Sequence, residues 1–452
     1  MKYFIKIHNI LKFCLFMLGF ILLFCIIISQ FDFLNNEINQ IIKSKQLMVI
    51  EKDIIKEKFK NFIKTDLSSE KKSVTNAKLG IVMFGCNRTD YMIRSLNKLL
   101  NIKNRTQQRF KALYSVSDQF MSDYLQLPII LSMDCHYLKT LNKAIEYYKK
   151  EDVMKVYDFI EITELVQKLN FEIRVHLKSY HRLSMNYKLA FNHIFNDYSS
   201  IEQLIVVEDD LDYSEDFLEY FISFSSFLKQ NKEVFCISAW NDNGKTELLN
   251  KEKDFSVLRH TDFFPGLGWM INKDVWQKEL QFEWPEAYWD DWLRKKIQGR
   301  TCIYPVVSRS ETFGEYGASN GQFYITYLSK IKVSQVYVPF YKLLNTYLNN
   351  LNIKTYKNNF LNDVYNKSFK IDASMFARQS RLKVLDKDKS YKIFYFTNYQ
   401  FIQYAEYFGL MYDFKHGIPR GAYHGILIFN YKGYNVYLAP PENRKIYIRS
   451  WS

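Results

Sequence analysis

The sequence predicts an α/β protein on a mostly parallel sheet, with a smaller strand-rich domain after it and an apolar helix before it. Three observations carry this reading. Between residues 79 and 240, short apolar runs alternate with stretches of helical periodicity. Several of these runs end in polar or charged residues, as strands do when a parallel sheet delivers its loops to one crevice. Near the N-terminus, Phe13 to Gln30 is an uncharged apolar run.

That run approaches the roughly 18–20 residues of a membrane span. Lys2, Lys6 and Lys12 precede it, which keeps a short tail cytoplasmic and sends the rest of the chain to the lumen. A cleaved signal peptide has an apolar region of only about 7–15 residues and a small-residue cleavage site. This run is longer and shows no such site. We therefore read residues 1–12 as a cytoplasmic tail and 13–30 as a single retained anchor. Residues 31–77 are rich in Lys, Glu, Ile and Asn and lack Gly and Pro, which reads as a partly helical stem.

The larger domain is read over 78–332. "LGIVMFG", Leu79–Gly85, is a strand ending at a glycine, and Met92, Leu96, Leu99 and Leu100 follow at helical spacing. "LPIILSMD", Leu127–Asp134, is a second strand. Leu183, Tyr187, Ala190, Phe191 and Ile194 form a helical stripe ahead of a third strand, "LIVVEDD", Leu204–Asp210. A helix over Glu215–Leu228 leads to "VFCISAW", Val234–Trp240. The pattern weakens after Val333, so a C-terminal domain is read over 333–452, strand-rich from Tyr391.

Of the 452 residues, 48% are hydrophobic and 17% aromatic, ample for a large core. The net charge of +14 fits nucleic acid, a membrane surface or an anionic small substrate. The absence of zinc-ligand spacing, a Walker loop or a long Lys/Arg block argues against nucleic acid. Of the 6 cysteines, Cys14 and Cys25 fall in the anchor. Cys86, Cys135, Cys236 and Cys302 remain for an oxidising compartment, and spacing alone does not choose among their pairings. Asn87, Asn104 and Asn366 head glycosylation sequons.

The chemistry concentrates in a few motifs. Glu208, Asp209 and Asp210 are three adjacent carboxylates at a strand end. Like charges at about 4 Å repel by roughly 1 kcal/mol even in water, so a compensating cation is expected. A hard divalent ion takes such oxygens and shares its remaining sites with phosphate and water. A bland reading, a solvated loop after a strand, suits this motif alone. "AWNDNG", "TDFFPGLGW" and "FGEYGASNGQF" are further turns with aromatics and glycines. "WPEAYWDDWLR" sets Asp290 and Asp291 between Trp289 and Trp292. There, apolar surroundings would raise a carboxylate's pKa and tune a base, or the aspartates simply pair with Arg294. A two-metal phosphohydrolase would need further clustered ligands that the sequence does not offer.

In their fixed order, VVEDD, SAWNDNG, TDFFPGLGW, WP-x-A-x-WDDW and TFG-x-x-G-x-S-x-GQF resemble the N-acetylglucosaminyltransferase I family. "GIPRGAYHGI" and "VYLAPP" extend the resemblance, which covers roughly residues 79 to 450. It implies a nucleotide-diphospho-sugar transferase fold of the GT-A kind in a type II Golgi membrane enzyme. The implied reaction is inverting transfer of GlcNAc from UDP-GlcNAc, with Mn²⁺, in β-1,2 linkage to the α-1,3 arm of a Man5GlcNAc2 N-glycan on a glycoprotein. Asp210 matches the metal ligand and Asp290 the general base. Arg88, Asp134, Glu208, Asp209, Leu267, Trp289 and Ser319 match substrate-site positions. Asn186 stands where the family has a histidine. The resemblance also implies the disulfides Cys86–Cys135 and Cys236–Cys302. The segment Lys103–Tyr124 is longer than the family pattern, and Asn87, beside the implied pocket, is expected to be unglycosylated. Two alternatives are the same chemistry on an O-linked mannose and an inactive, membrane-anchored glycan-binding protein.

Overall fold

The computed structural model describes residues 76–159, 175–250, 252–297, 299–317, 321, 323–376 and 384–442. The expected tail and anchor, nearly all of the stem, and Ser319 lie outside them. Among the described residues, no helix is long and apolar enough to cross a membrane.

The described residues fall in one compact unit. Strands β1 (Leu79–Gly85), β2 (Ile129–Met133), β3 (Lys155–Asp158), β4 (Gln203–Glu208), β6 (Val234–Ser238), β7 (Leu258–Thr261), β8 (Trp269–Asn272) and β9 (Thr301–Pro305) make an eight-stranded sheet. Its order is β3-β2-β1-β4-β8-β6-β9-β7. The short strands β5 (Leu211–Tyr213) and β10 (Ser310–Thr312) pair separately.

Every residue of β1 is buried, because the strand is central and covered on both faces. This is why it reads as an unbroken apolar run. Its period of two sends Leu79, Ile81 and Met83 into one core and Val82 and Phe84 into the other. The first core takes Met92, Leu96 and Leu99 of helix α1 (Thr89–Leu113) and the apolar face of a later helix, Phe217–Gln230. The second takes the predicted stripe Tyr187, Ala190, Phe191 and Ile194 on the helix Val175–Asp197. With helix α2 (Leu138–Lys149) introduced between β2 and β3, these last two are α4 and α3 respectively.

The sheet is mostly parallel, as expected, with two strands running against the rest. Parallel pairing holds through β3-β2-β1-β4 and again between β6 and β9. Strand β8 runs antiparallel to both β4 and β6, and β7 antiparallel to β9. The reversal is made between β6 and β7, because β7 and β8 run the same way, both against the mutually parallel β6 and β9. Gly266 (φ 70), Leu267 (φ 45) and Gly268 (φ 92) are three consecutive left-handed residues, which turn the chain sharply into Trp269.

The change from one core to the next falls later than residue 333. Val338, Phe340 and Leu351 still pack in the first core. The second, four-stranded sheet is β11 (Phe369–Lys370), β12 (Ser390–Phe394), β16 (Tyr434–Ala439) and β15 (Leu427–Tyr431), in that order. It packs on the helix Asn398–Phe408 through Phe401, Ala405 and Phe408. The long segment 103–124 continues α1 and then folds back. Phe110 and Tyr114 each lie with ring centroids 5.0 Å from Tyr341.

Both implied disulfides are formed. Cys86–Cys135, Cα atoms 5.0 Å apart, ties the chain just after β1 to the chain just after β2. Cys236–Cys302, 4.7 Å apart, links register partners on β6 and β9.

Candidate active site

The loops after β1, β2 and β4 meet at the C-terminal edge of the sheet, where the expected residues gather. Arg88 follows β1. Its Nη1 donates to Asp210 Oδ2 at 2.8 Å and to the Tyr316 carbonyl at 2.9 Å, and its Nη2 donates to Asp209 Oδ1. The three carboxylates therefore have a cation among them. Burial works against the Arg88 charge, but Asp210 and Asp209 outweigh it and hold its pKa above the usual value.

Compensation is incomplete. Burial, opposed by Arg88, pushes Asp209 up to about 7. Burial, with Asp210 adding to it, raises Glu208 to about 7. Asp134, buried after β2, is raised to about 7 by desolvation against the pull of Arg182. One oxygen on each of Asp209 and Asp210 is buried without a hydrogen-bond donor. An unpaired buried carboxylate oxygen is costly, and it is the donor type a hard divalent cation takes. The backbone leaves room for this arrangement: the Phe313 amide bonds the Asp210 carbonyl at 2.9 Å, and a Cβ at Gly314 would overlap the Asp210 carboxylate. Asp209 and Asp210 thus fit a metal such as Mn²⁺. A second grouping, Cys86, Asp134 and Cys135, has ligand atoms within 4.8 Å of one another. It does not fit, because both sulfurs are in a disulfide and the thiolate is the metal-binding form.

Tyr187 connects this edge to the WDDW segment. Its hydroxyl donates to Glu208 Oε1 at 2.9 Å. Its ring stacks on Phe84 at 3.8 Å and on Trp289 at 4.2 Å. Trp289 opens helix α5 (Trp289–Lys296), which also carries Asp290 and Asp291. Nη1 of the buried Arg294 donates to Asp290 Oδ2 at 2.7 Å and to Asp291 Oδ1 at 2.6 Å. Lys415 Nζ donates to Asp291 Oδ2 at 3.0 Å. Among the described residues, the second Asp290 oxygen carries no hydrogen bond. The expected apolar rise does not occur at Asp291. Burial would raise it, but Arg294 and Lys415 hold it below the usual carboxylate range. Arg294 pairs with both aspartates, so the pairing read as the bland alternative is present. It leaves Asp290, unlike Asp291, with one open oxygen.

The remaining predicted residues are more deeply structural. Asn186 is buried and accepts from Ser132 Oγ at 2.5 Å, so its amide is turned toward β2. Leu267 sits in the left-handed turn, and its carbonyl accepts from Ser310 Oγ at 2.6 Å. Asn87, Asn104 and Asn366 are all exposed. The sequence reading missed Tyr187 as a site residue, although it named it in the helical stripe. It also missed the Tyr316 carbonyl and Lys415, because neither a backbone carbonyl nor a lone lysine carries a motif.

Comparison with known proteins bears on the whole chain. The GNT-I family model matches residues 30–451. The alpha-1,3-mannosyl-glycoprotein 2-beta-N-acetylglucosaminyltransferase of Arabidopsis thaliana is 30% identical over 379 residues, which is 80% of this chain and 74% of the plant protein. Among solved structures, mannosyltransferase PcManGT from Pyrobaculum calidifontis, in complex with GDP-Man and Mn²⁺, shows a TM-score of 0.34 at 13% identity, over 61% of this chain and 70% of that one. S. aureus TarS 1–349 gives 0.33 at 12%, over 64% and 75%. Those two likenesses are too weak to define the fold or the chemistry. The family match over residues 30–451 and the identity to the plant protein do decide the matter: the chain belongs to the GNT-I family.

Proposed function

We propose that the protein transfers GlcNAc from UDP-GlcNAc, with inversion and in β-1,2 linkage, to the α-1,3-linked mannose of a Man5GlcNAc2 N-glycan, starting hybrid and complex glycan synthesis. The observation that carries this is the pair of carboxylate stations. One is Asp209–Asp210 with Arg88, and the other is Asp290 with its open oxygen. Tyr187 and Trp289 join them. Inversion needs one in-line attack, with a base on the acceptor side and positive charge on the leaving-group side.

Asp290 takes the proton of the acceptor mannose hydroxyl as that oxygen bonds to the anomeric carbon of GlcNAc. The bond from that carbon to the β-phosphate oxygen breaks, and its electron pair leaves with UDP. Arg88 supplies fixed positive charge beside the buried carboxylates for an anionic donor. Asp134, with a pKa of about 7, can accept or donate a hydrogen bond to a nucleotide near neutral pH. Asp210, with Asp209 beside it, would hold Mn²⁺, which supplies charge neutralisation to a diphosphate leaving group.

The proposed location is the Golgi membrane, as a single-pass type II protein with the catalytic part luminal. The uncharged run after Lys2, Lys6 and Lys12 supports it, as do two disulfides, which persist in oxidising compartments. Protease added to intact microsomes should spare the large domain, and its digestion would reject this orientation. The function is tested by incubating the purified full chain in detergent with UDP-GlcNAc, Mn²⁺ and a Man5 N-glycan. The product should gain one GlcNAc by mass. No product with any divalent metal overturns the proposal.

A further inference from the structure

A hairpin from the C-terminal part of the chain reaches the WDDW helix. Its strands, β13 (Phe414–Lys415) and β14 (Ile418–Pro419), pair antiparallel with Lys415 opposite Ile418. The two turn residues, His416 (φ 54) and Gly417 (φ 80), are both left-handed. That geometry matches the natural twist of paired strands and gives a tight, well-defined tip.

The hairpin is held at its base. Arg420 donates from Nε at 2.8 Å and from Nη2 at 2.7 Å to the two Asp413 oxygens, a bidentate pairing. Its Nη1 donates to Asp242 Oδ1 at 3.2 Å, in the loop after β6. The guanidinium carbon lies 5.0 Å from the Phe263 ring centroid. At the tip, Lys415 Nζ bonds Asp291 Oδ2 at 3.0 Å, and His416 Nε2 lies 3.1 Å from the Asp291 carbonyl oxygen.

Each oxygen of Asp291 thus has its own cation, Arg294 on one and Lys415 on the other. Arg294 Nη1 is shared between Asp291 at 2.6 Å and Asp290 at 2.7 Å. Without Lys415, Asp291 would be held by Arg294 at one oxygen only, and nothing would fix how Arg294 is shared between the two carboxylates. A base must lie within hydrogen-bond reach of its proton, and a displacement of about 1 Å can cost about 10²-fold in rate.

We propose that Lys415 is a positioning residue for the transfer: by clamping Asp291 it fixes how Arg294 is shared, and so aims the open oxygen of Asp290 at the acceptor hydroxyl. This rests on the reading of Asp290 as the base. Lys415 touches neither substrate nor reacting atoms in this role. Its side chain is 36% exposed, so the ion pair itself adds little to folding.

The test uses the full chain in detergent with UDP-GlcNAc, Mn²⁺ and a Man5 N-glycan. Lys415→Met should lower kcat by about tenfold or more while leaving UDP-GlcNAc affinity and the unfolding midpoint unchanged. Lys415→Arg, which keeps the charge and the donors, should restore most of kcat. A Lys415→Met enzyme with wild-type kcat overturns the proposal, and so does a loss that Lys415→Arg fails to restore or that comes with weakened donor binding. Asp290→Asn is measured alongside. Should that variant turn over normally, the base assignment has failed; should it be inactive while Lys415→Met is normal, only the positioning role has failed.

Discussion

Tyr187→Phe removes a single hydroxyl and tests how the buried carboxylates are held. The ring stays between Phe84 and Trp289, so packing is conserved. What is lost is one donor to Glu208 Oε1 at 2.9 Å. Burial raises Glu208 from 4.5 to about 7, Asp210 adds to that, and the Tyr187 hydrogen bond is the first influence opposing the rise. The variant's Glu208 should therefore sit higher still. The pH dependence follows from linkage. A carboxyl raised in the folded state contributes stability that is fully present below its ordinary value and is lost as pH rises through its folded value. In the wild type this loss levels off above about 7, whereas in the variant it continues to higher pH.

At pH 6 Glu208 is mostly protonated in both proteins, and the lost bond is a neutral one of about 0.5–1.5 kcal/mol. At pH 8.5 the wild-type bond is charge-assisted, worth about 1.5–3 kcal/mol. The stability gap should thus widen by about 1 kcal/mol, equivalent to a pKa difference of somewhat under one unit. Urea unfolding of both proteins at pH 6, 7 and 8.5, without metal, measures it. A gap that is flat or narrows with rising pH would refute the reasoning.

Other outcomes follow from the same geometry. Asp290→Asn keeps an oxygen for Arg294 but cannot take a proton, so single-turnover transfer should fall by about 10²–10⁴ with donor binding intact; a larger loss in Asp291→Asn would show that the wrong aspartate was chosen. Asp210→Ala removes a buried oxygen that lacks a hydrogen-bond donor, and calorimetry should then find Mn²⁺-dependent UDP-GlcNAc binding sharply weakened; unchanged binding would place the metal elsewhere. The Cys236–Cys302 bridge closes a sequence separation of 66 residues. Replacing both cysteines by alanine should cost about 4 kcal/mol by the chain-entropy argument, read as a fall in the denaturation midpoint, and a loss under about 1 kcal/mol would contradict it.

Much of this protein was legible along the chain. Leu79–Gly85 was read with the bounds it has, because a strand buried on both faces is a continuous apolar run. The α3 stripe was read because one face of a helix must be apolar to meet a sheet. The carboxylates of EDD and WDDW were visible as residue types placed where loops leave strands and helices begin. The tertiary structure alone decided how these pieces meet. It inserted β8 antiparallel between β4 and β6, it set Arg88 against Asp209 and Asp210, and it brought Lys415 to Asp291. Lys415 thereby joins the neighbouring Arg294 in holding Asp291 below the usual carboxylate range against its burial. Periodicity and propensity report each segment's own burial, so they are written locally. The pairing of Arg294 with Asp290 and Asp291 lies within one helix and could be read locally, but Arg88 with Asp209 and Asp210, and Lys415 with Asp291, join residues more than a hundred positions apart, chosen by the packing of whole faces, and no local pattern in the chain records that choice.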